Sequence, residues 1–323
     1  MNKSLAITSF AAIITAEGRV VCWGNNMHGQ CDVPADLENV VAVCCGNDFA
    51  TALTAEGRVV CWGNNYFGQC DISADVCATI VTDICCGSEH TMALTTEGRV
   101  VCWGNRYNLC VVPENVENVI AITCGNYHNT VLTAASEVIC WNYSKCVRAF
   151  YENILMICSS SFYTAILFKN AVHNGSNCII CWWHDHPEIC DDIPHNVIFT
   201  DINFGMNHAI GITSDGCVLC WGYNEYECCN VPADLRGVVS ICAHSWNTFA
   251  ITAEGCVVCW GLNNYGQCNV PADLENVIHV QSKHGYAVAI TADGRVVAWG
   301  TTISKDRKIP ADLVAQTGMV VLM

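Results

Sequence analysis

Basic residues are scarce. Lys and Arg together number 14 among 323 residues, against 30 Asp and Glu, for a formal net charge of −16. Binding a phosphate backbone needs clustered cations, so nucleic acid is not an expected partner. The chain also lacks an apolar run long enough to cross a bilayer as a helix, and no membrane association is expected. It lacks any apolar stripe of 3.6-residue period and helical length. A P-loop, a dinucleotide fingerprint and a G-x-S-x-G elbow are all missing. Carboxylates recur in copies, as in "PADLEN" (34–39 and 271–276), whereas a catalytic pair would be unique. These absences predict a non-enzymatic chain without a cofactor.

What is present is repetition. "AEGRVVCWGNN" stands at 16–26 and again at 55–65, and "TEGRVVCWGN" at 96–105. The Trp recurs at Trp23, Trp62, Trp103, Trp141, Trp182, Trp221, Trp260 and Trp299, in steps of 38 to 41 residues. The repeat runs from end to end, which predicts one repeat domain over 1–323.

Each unit reads as three short strands. In the second, "VVAVCCG" (40–46) is a β-branched run, and "FATALT" (49–54) sets Phe49, Thr51 and Leu53 on one face and Ala50 and Ala52 on the other. In "RVVCWG" (58–63), Val60 and Trp62 share one face, Val59 and Cys61 the other. "AEG" between the last two runs is a hairpin with Gly in the left-handed position. Such a sheet cannot bury both faces alone, and units of about 39 residues stack as propeller blades. The expected fold is therefore all-β: a closed β-propeller, mostly three-stranded, with eight blades or alternatively seven, its termini paired in one blade.

The motif G-x-V-x-x-W-G-x-N-x-x-G-Q-x-x-V-P-A, seen as "GRVVCWGNNMHGQCDVPA" (18–35) and "GCVVCWGLNNYGQCNVPA" (255–272), resembles the repeat of the regulator of chromosome condensation family. The short unit is most similar to the bacterial branch that includes propeller-type β-lactamase inhibitory proteins. That resemblance implies a partner-binding face built from two loop sets. One follows Trp-Gly and contributes Met27, Tyr66, Phe67, Tyr107, Tyr143, Tyr223 and Tyr265; the other precedes the second strand and contributes Asp48, Glu89, Tyr127, Phe162, Asn207 and Trp246. Exposed aromatics are typical hot-spot residues. The near-identical, Cys-heavy units also resemble propeller proteins of large DNA viruses, which implies assembly material. Three functions stay open: a protein-recognition module, a self-assembling structural subunit, and a guanine nucleotide exchange factor for a small GTPase, which fold analogy alone supports.

Twenty-six cysteines follow the repeat, one before the Trp and another after the Gly-Gln. They read as small, reduced, buried fillers in a cytoplasmic setting, with nine-residue bridges such as Cys22–Cys31 as the rival. The opening residues align with the "FATALT" strand and are read as a blade strand rather than a signal peptide. "CIIC", "CVLC" and "CVVC" lie on strands, where residues three apart face opposite sides, so they are not read as metal sites. His90, His128 and His208 share one position that other units fill with Phe10, Phe49 or Tyr163, which predicts packing. Arg19, Arg58 and Arg99 are expected to pair weakly with Glu17, Glu56 and Glu97 of their own hairpins. Units four and five depart from the motif, and the fifth gathers His184, His186 and Cys190 after its Trp. These are zinc-type residues, but a decayed repeat is the preferred reading and no metal is expected.

Overall fold

The computed structural model describes residues 5–104, 108–170, 176–181, 192–283, 285–300 and Leu313. Strands account for almost all of its regular structure, in eight antiparallel sheets whose order follows the sequence. The first four sheets are Leu5–Ile7, Phe10–Ile14, Val20–Gly24; Val40–Cys45, Phe49–Thr54, Val59–Gly63; Val81–Cys86, His90–Thr95, Val100–Gly104; and Val119–Cys124, Asn129–Thr133, Glu137–Trp141, Cys146–Phe150. The next four are Ile154–Ser159, Thr164–Phe168, Cys178–Cys181; Phe199–Phe204, His208–Thr213, Val218–Gly222; Val238–His244, Asn247–Thr252, Val257–Gly261; and Val277–Lys283, Tyr286–Thr291, Val296–Gly300. The chain divides into two compact units, with a boundary between Glu152 and Asn153. Each contains four of the sheets. The expected pairing of the termini falls on residues outside the described ones.

The alternation read from the sequence decides the packing. Within the first unit, Ala50, Ala52, Val60 and Trp62 of the second sheet pack with Phe10, Ala12 and Ile14 of the first. The opposite face sends Leu53, Val59 and Cys61 against Ile84, Ala93 and Trp103 of the third. One sheet thus contributes to two cores, and each buried large side chain adds about 1.5–3 kcal/mol. The second unit repeats the scheme: Ile210 and Ile212 meet Val238, Ile241 and Trp260, and Phe249 and Ile251 meet Val277, Val280 and Trp299.

In the second, third, fourth, seventh and eighth blades the Trp also staples the blade to the connection before it. The Trp62 indole N–H donates to the Gln30 carbonyl at 3.0 Å, Trp103 to Gln69 at 3.0 Å, Trp260 to Cys228 at 2.9 Å and Trp299 to Gln267 at 2.8 Å. A ring that fills the gap between blades must also satisfy its N–H there, which explains why Trp rather than Phe recurs. The hairpin Gly57 has φ +80°, and a Cβ on it would stand 2.4 Å from Ile80, as the left-handed reading requires.

Two details are added and two expectations change. The fourth blade has a fourth strand, Cys146–Phe150, paired with Glu137–Trp141. Its lost Gly-Gln connection is replaced by a tight turn in which Asn142 Oδ1 accepts from the Ser144 and Lys145 N–H groups, both at 2.9 Å. One connection forms a short helix, Ala74–Cys77, capped by Ser73. The hairpin arginines reach past their own Glu residues: Arg19 pairs with Glu38 at 3.8 Å and Arg58 with Asp36 at 3.7 Å, all largely exposed and of little weight. Finally, the cysteines are not uniformly buried. Among the described residues most are half-buried, and Cys77, Cys146, Cys217 and Cys256, which lie in a connection helix, on an added edge strand and in two hairpins, are exposed.

Candidate functional site

In each antiparallel sheet, the turn before the second strand and the connection after the third leave from the same end. Backbone bonds hold the two together: Asn64 N–H donates to the Asp48 carbonyl at 2.9 Å, and Leu262 N–H to the Trp246 carbonyl at 2.9 Å. The two loop sets therefore adjoin within a blade.

The conserved-looking letters of the connection turn out to be its internal frame. Asn64 Oδ1 accepts from Tyr66 N–H at 2.8 Å and Asn65 Oδ1 from Cys70 N–H at 2.9 Å. The buried Gln69 turns its Oε1 to Phe67 N–H at 2.8 Å. The same bonds recur around Asn25, Asn26 and Gln30. These Asx-type turns use up the polar side chains and leave the residue between them facing outward. Met27 is 83% exposed and Tyr66 68%.

The predicted face residues separate into distinct groups. Tyr66 and Phe67 form an edge-to-face pair with centroids 5.0 Å apart. Asp48 is tied inward, accepting from Ser9 Oγ at 3.1 Å and Gln30 Nε2 at 3.3 Å. Tyr127 and Tyr143 are exposed, and Phe162 is half-buried. Tyr265 is exposed on one side only, since its ring lies over Gly285. Glu89 is partly desolvated, which pushes its carboxyl up. Tyr107, His184, His186 and Cys190 lie outside the described residues.

The sixth and seventh blades, both in the second unit, bring three aromatics together. Half-buried Trp246 packs on Tyr223 at 5.8 Å and on Tyr226 at 5.1 Å, with ring planes 58° and 54° apart. Both tyrosines keep 38% of their surface exposed, and the Tyr223 hydroxyl donates to Glu225. Tyr226 was not among the sequence candidates. The signal was available: it stands five residues after Trp221, as Phe67 does after Trp62 and Tyr265 after Trp260.

The repeated His position is interior. His90 and His208 are fully buried, each with one hydrogen bond, to Asn129 Oδ1 and to Thr248 Oγ1, both at 2.9 Å. A Cβ at Gly87 would lie 1.9 Å from the His90 ring, and one at Gly46 would lie 1.9 Å from Phe49. The Gly three residues upstream is thus the seat of this ring, whichever ring it is. Burial lowers His90 to about 4, so the imidazole is neutral and serves packing. Among the described residues no group of three or more His, Cys, Asp or Glu is arranged to hold a metal ion. Nor is any helix there long and apolar enough to cross a membrane.

Known proteins supply the context for this geometry. The model of the regulator of chromosome condensation (RCC1) repeat matches residues 8–30, 40–69, 81–109, 199–228 and 238–267. No curated protein sequence matches the chain. Among solved structures, the ectodomain of the Physcomitrella patens receptor kinase CR4 is similar with a TM-score of 0.60 at 20% identity, over 92% of this chain and 73% of that one. The CRINKLY WD40 ectodomain of the Arabidopsis thaliana receptor kinase ACR4 gives 0.55 at 19%, over 95% and 98%. Prp20p from Saccharomyces cerevisiae, described with its binding to Gsp1p and histones, gives 0.55 at 18%, over 94% and 83%. At these identities the likeness is one of fold. Five stretches of the chain match the regulator of chromosome condensation repeat, and the fold is that of a β-propeller with mostly three-stranded blades.

Proposed function

We propose that this chain is a non-enzymatic protein-recognition module, and that the Tyr223–Tyr226–Trp246 cluster is its anchor. The observation that carries the reading is the meeting of loops from two successive blades in three touching, partly exposed aromatic rings. Large, rigid aromatic side chains give contact area at little entropic cost. Glu225 and Glu227 flank the rings, and the chain carries a net charge of −16, so the partner surface that fits is basic, with Arg or Lys laid on the ring faces. Tyr66 and Phe67 form a separate patch in the first unit. We place the protein in a reducing intracellular compartment, where cysteine can serve as a packing residue in most blades.

Self-association is the second reading, favoured by the edge strand Cys146–Phe150. Its side chains alternate between exposed and half-buried, and Phe150 is 70% exposed. An uncovered edge is a template for another strand. Nucleotide exchange is supported only by likeness of fold to Prp20p. The test combines crosslinking mass spectrometry of captured complexes with sedimentation of the purified protein. Crosslinks around Tyr226 that vanish in Trp246→Ala, on a folded monomer, support recognition. Concentration-dependent oligomers abolished by a charged residue at Phe150 support self-association instead. A monomer with neither crosslink refutes both.

A further inference from the structure

Four sulfurs converge where the third blade meets the fourth. Cys102 Sγ lies 2.7 Å from Cys110 Sγ, and Cys85 Sγ lies 2.7 Å from Cys124 Sγ. A covalent S–S bond is about 2.05 Å, so either pair closes with a shift of about 0.7 Å. The two pairs also sense one another, Cys102 through Cys85 and Cys124 through Cys102. All four residues are half-buried. Direct sulfur–sulfur interaction also occurs between Cys259 and Cys268, but in the third connection two such pairs adjoin. Cys102 and Cys110 are eight residues apart, whereas Cys22–Cys31, Cys61–Cys70 and Cys259–Cys268 are nine apart. In the longer loops Cys31 Sγ and Cys70 Sγ turn to the carbonyls of Asn25 and Asn64. In the shorter one Cys110 turns to its neighbour's sulfur.

We propose that these four residues are an oxidation site, which a small disulfide of the glutathione class converts into a Cys102–Cys110 bond and a Cys85–Cys124 bond. The first bond clips the connection onto the third strand of its own blade. The second ties the first strand of one blade to the first strand of the next. Burial pushes the Cys102 and Cys124 thiols well above their ordinary range, which disfavours them as the attacking sulfurs. The Cys110 thiolate attacks the small disulfide, forms a mixed disulfide and releases one small thiolate. That thiolate takes the proton of Cys102, whose sulfur then attacks Cys110 Sγ and expels the second small thiolate, which takes up the proton that Cys110 gave to solvent. Each bond consumes one small disulfide and releases two small thiols, so atoms and electrons balance. Cys85 and Cys124 follow the same sequence.

The test equilibrates the fully reduced full-length protein with glutathione buffers of rising oxidised fraction. Samples are acid-quenched, alkylated under denaturing conditions, and digested with trypsin without reduction. Cleavage at Arg99 and Arg106 puts Cys85, Cys102 and the Cys110/Cys124 pair on three separate peptides. The expected result is a crosslinked species joining all three, with fragment ions assigning 102–110 and 85–124, and a melting temperature several degrees higher than that of the reduced form. Cys110→Ser should lose only the first bond and Cys124→Ser only the second. Full alkylation of all four residues at the most oxidising ratio overturns the proposal. So does a map showing other pairings, or glutathione adducts that never resolve. The wild-type map decides this even where a variant does not fold.

Discussion

Acidification should destabilise this protein well above the pH at which its surface carboxylates titrate, and His90 and His279 contribute directly to the effect. His90 is fully buried on Gly87 with only Asn129 as partner, and His279, half-buried overall, holds an Nε2 that is shielded from solvent and makes no hydrogen bond. Burial lowers both to about 4, against about 6.5 in an unfolded chain. The folded state therefore refuses protons that the unfolded state accepts. Stability is fully present above about pH 6.5 and is lost as pH falls toward 4. By linkage, each histidine withdraws about 2 kcal/mol between pH 7 and pH 5, or about 4 kcal/mol together. The assay is urea denaturation at those two values, on the wild type and on His90→Phe, a ring that Phe49 shows to fit the same seat over a glycine. The variant should lose about 2 kcal/mol of the pH dependence while keeping its fold. Parallel wild-type and variant curves would refute the argument, because a buried neutral imidazole cannot be replaced by Phe without removing its linkage.

Other perturbations follow from the same contacts. Trp62→Phe keeps the ring but strips the Gln30 carbonyl of its buried donor, and should cost about 1–3 kcal/mol in a denaturant midpoint; a change within error would show that water reaches that carbonyl. Gly46→Ala drives a methyl into the Phe49 ring at 1.9 Å and should destabilise by about 1–3 kcal/mol, measured as a loss in melting temperature. Trp246→Ala should weaken partner binding by about 2 kcal/mol with stability nearly unchanged; if it unfolds the chain, the cluster is core rather than anchor. Below pH 5, protonating Glu17, Glu56 and Glu254, whose carboxyls are held down chiefly by hairpin threonine hydroxyls, should remove further stability as the pH falls through their lowered values. Replacing Thr54 with Val should lift the Glu56 titration, read by NMR.

The fold was legible because strand periodicity and blade period say the same thing. Val60 and Trp62 against Val59 and Cys61 is a two-residue alternation, and it decides which neighbour each side chain meets. The fourth strand of the fourth blade was hidden because Cys146–Phe150 is only five residues long and its one apolar face, Val147 and Ala149, is only half-buried. The arginine partners were misread because a hairpin places Glu17 near Arg19 in sequence, while the long side chain reaches Glu38 across the following connection. The site was less legible than the fold. A list of loop aromatics does not distinguish a ring lying over its neighbour's glycine, as Tyr265 does, from rings that gather around another ring, as Tyr223 and Tyr226 do. That difference depends on contacts between blades, which no single repeat encodes.

The sixth blade shows how a repeat frees side chains for recognition without losing its frame. In the ordinary connection the position two residues after Trp is Asn25 or Asn64, whose side chain accepts a loop N–H. Here it is Tyr223, and the ring that replaces the amide packs on Trp246 instead. The buried Gln of the ordinary loop is replaced by Cys228, yet the Cys228 carbonyl still accepts from the Trp260 indole at 2.9 Å and from Thr248 Oγ at 3.1 Å. Asn224 Oδ1 still accepts from Cys229 N–H at 2.8 Å. The stapling bonds run to backbone carbonyls, so they survive a change of side chain. The turn bonds run to side chains, so they are what substitution removes. A propeller of near-identical units can therefore vary its loops one blade at a time, and the blade that has exchanged amides for aromatics is where a partner should be sought.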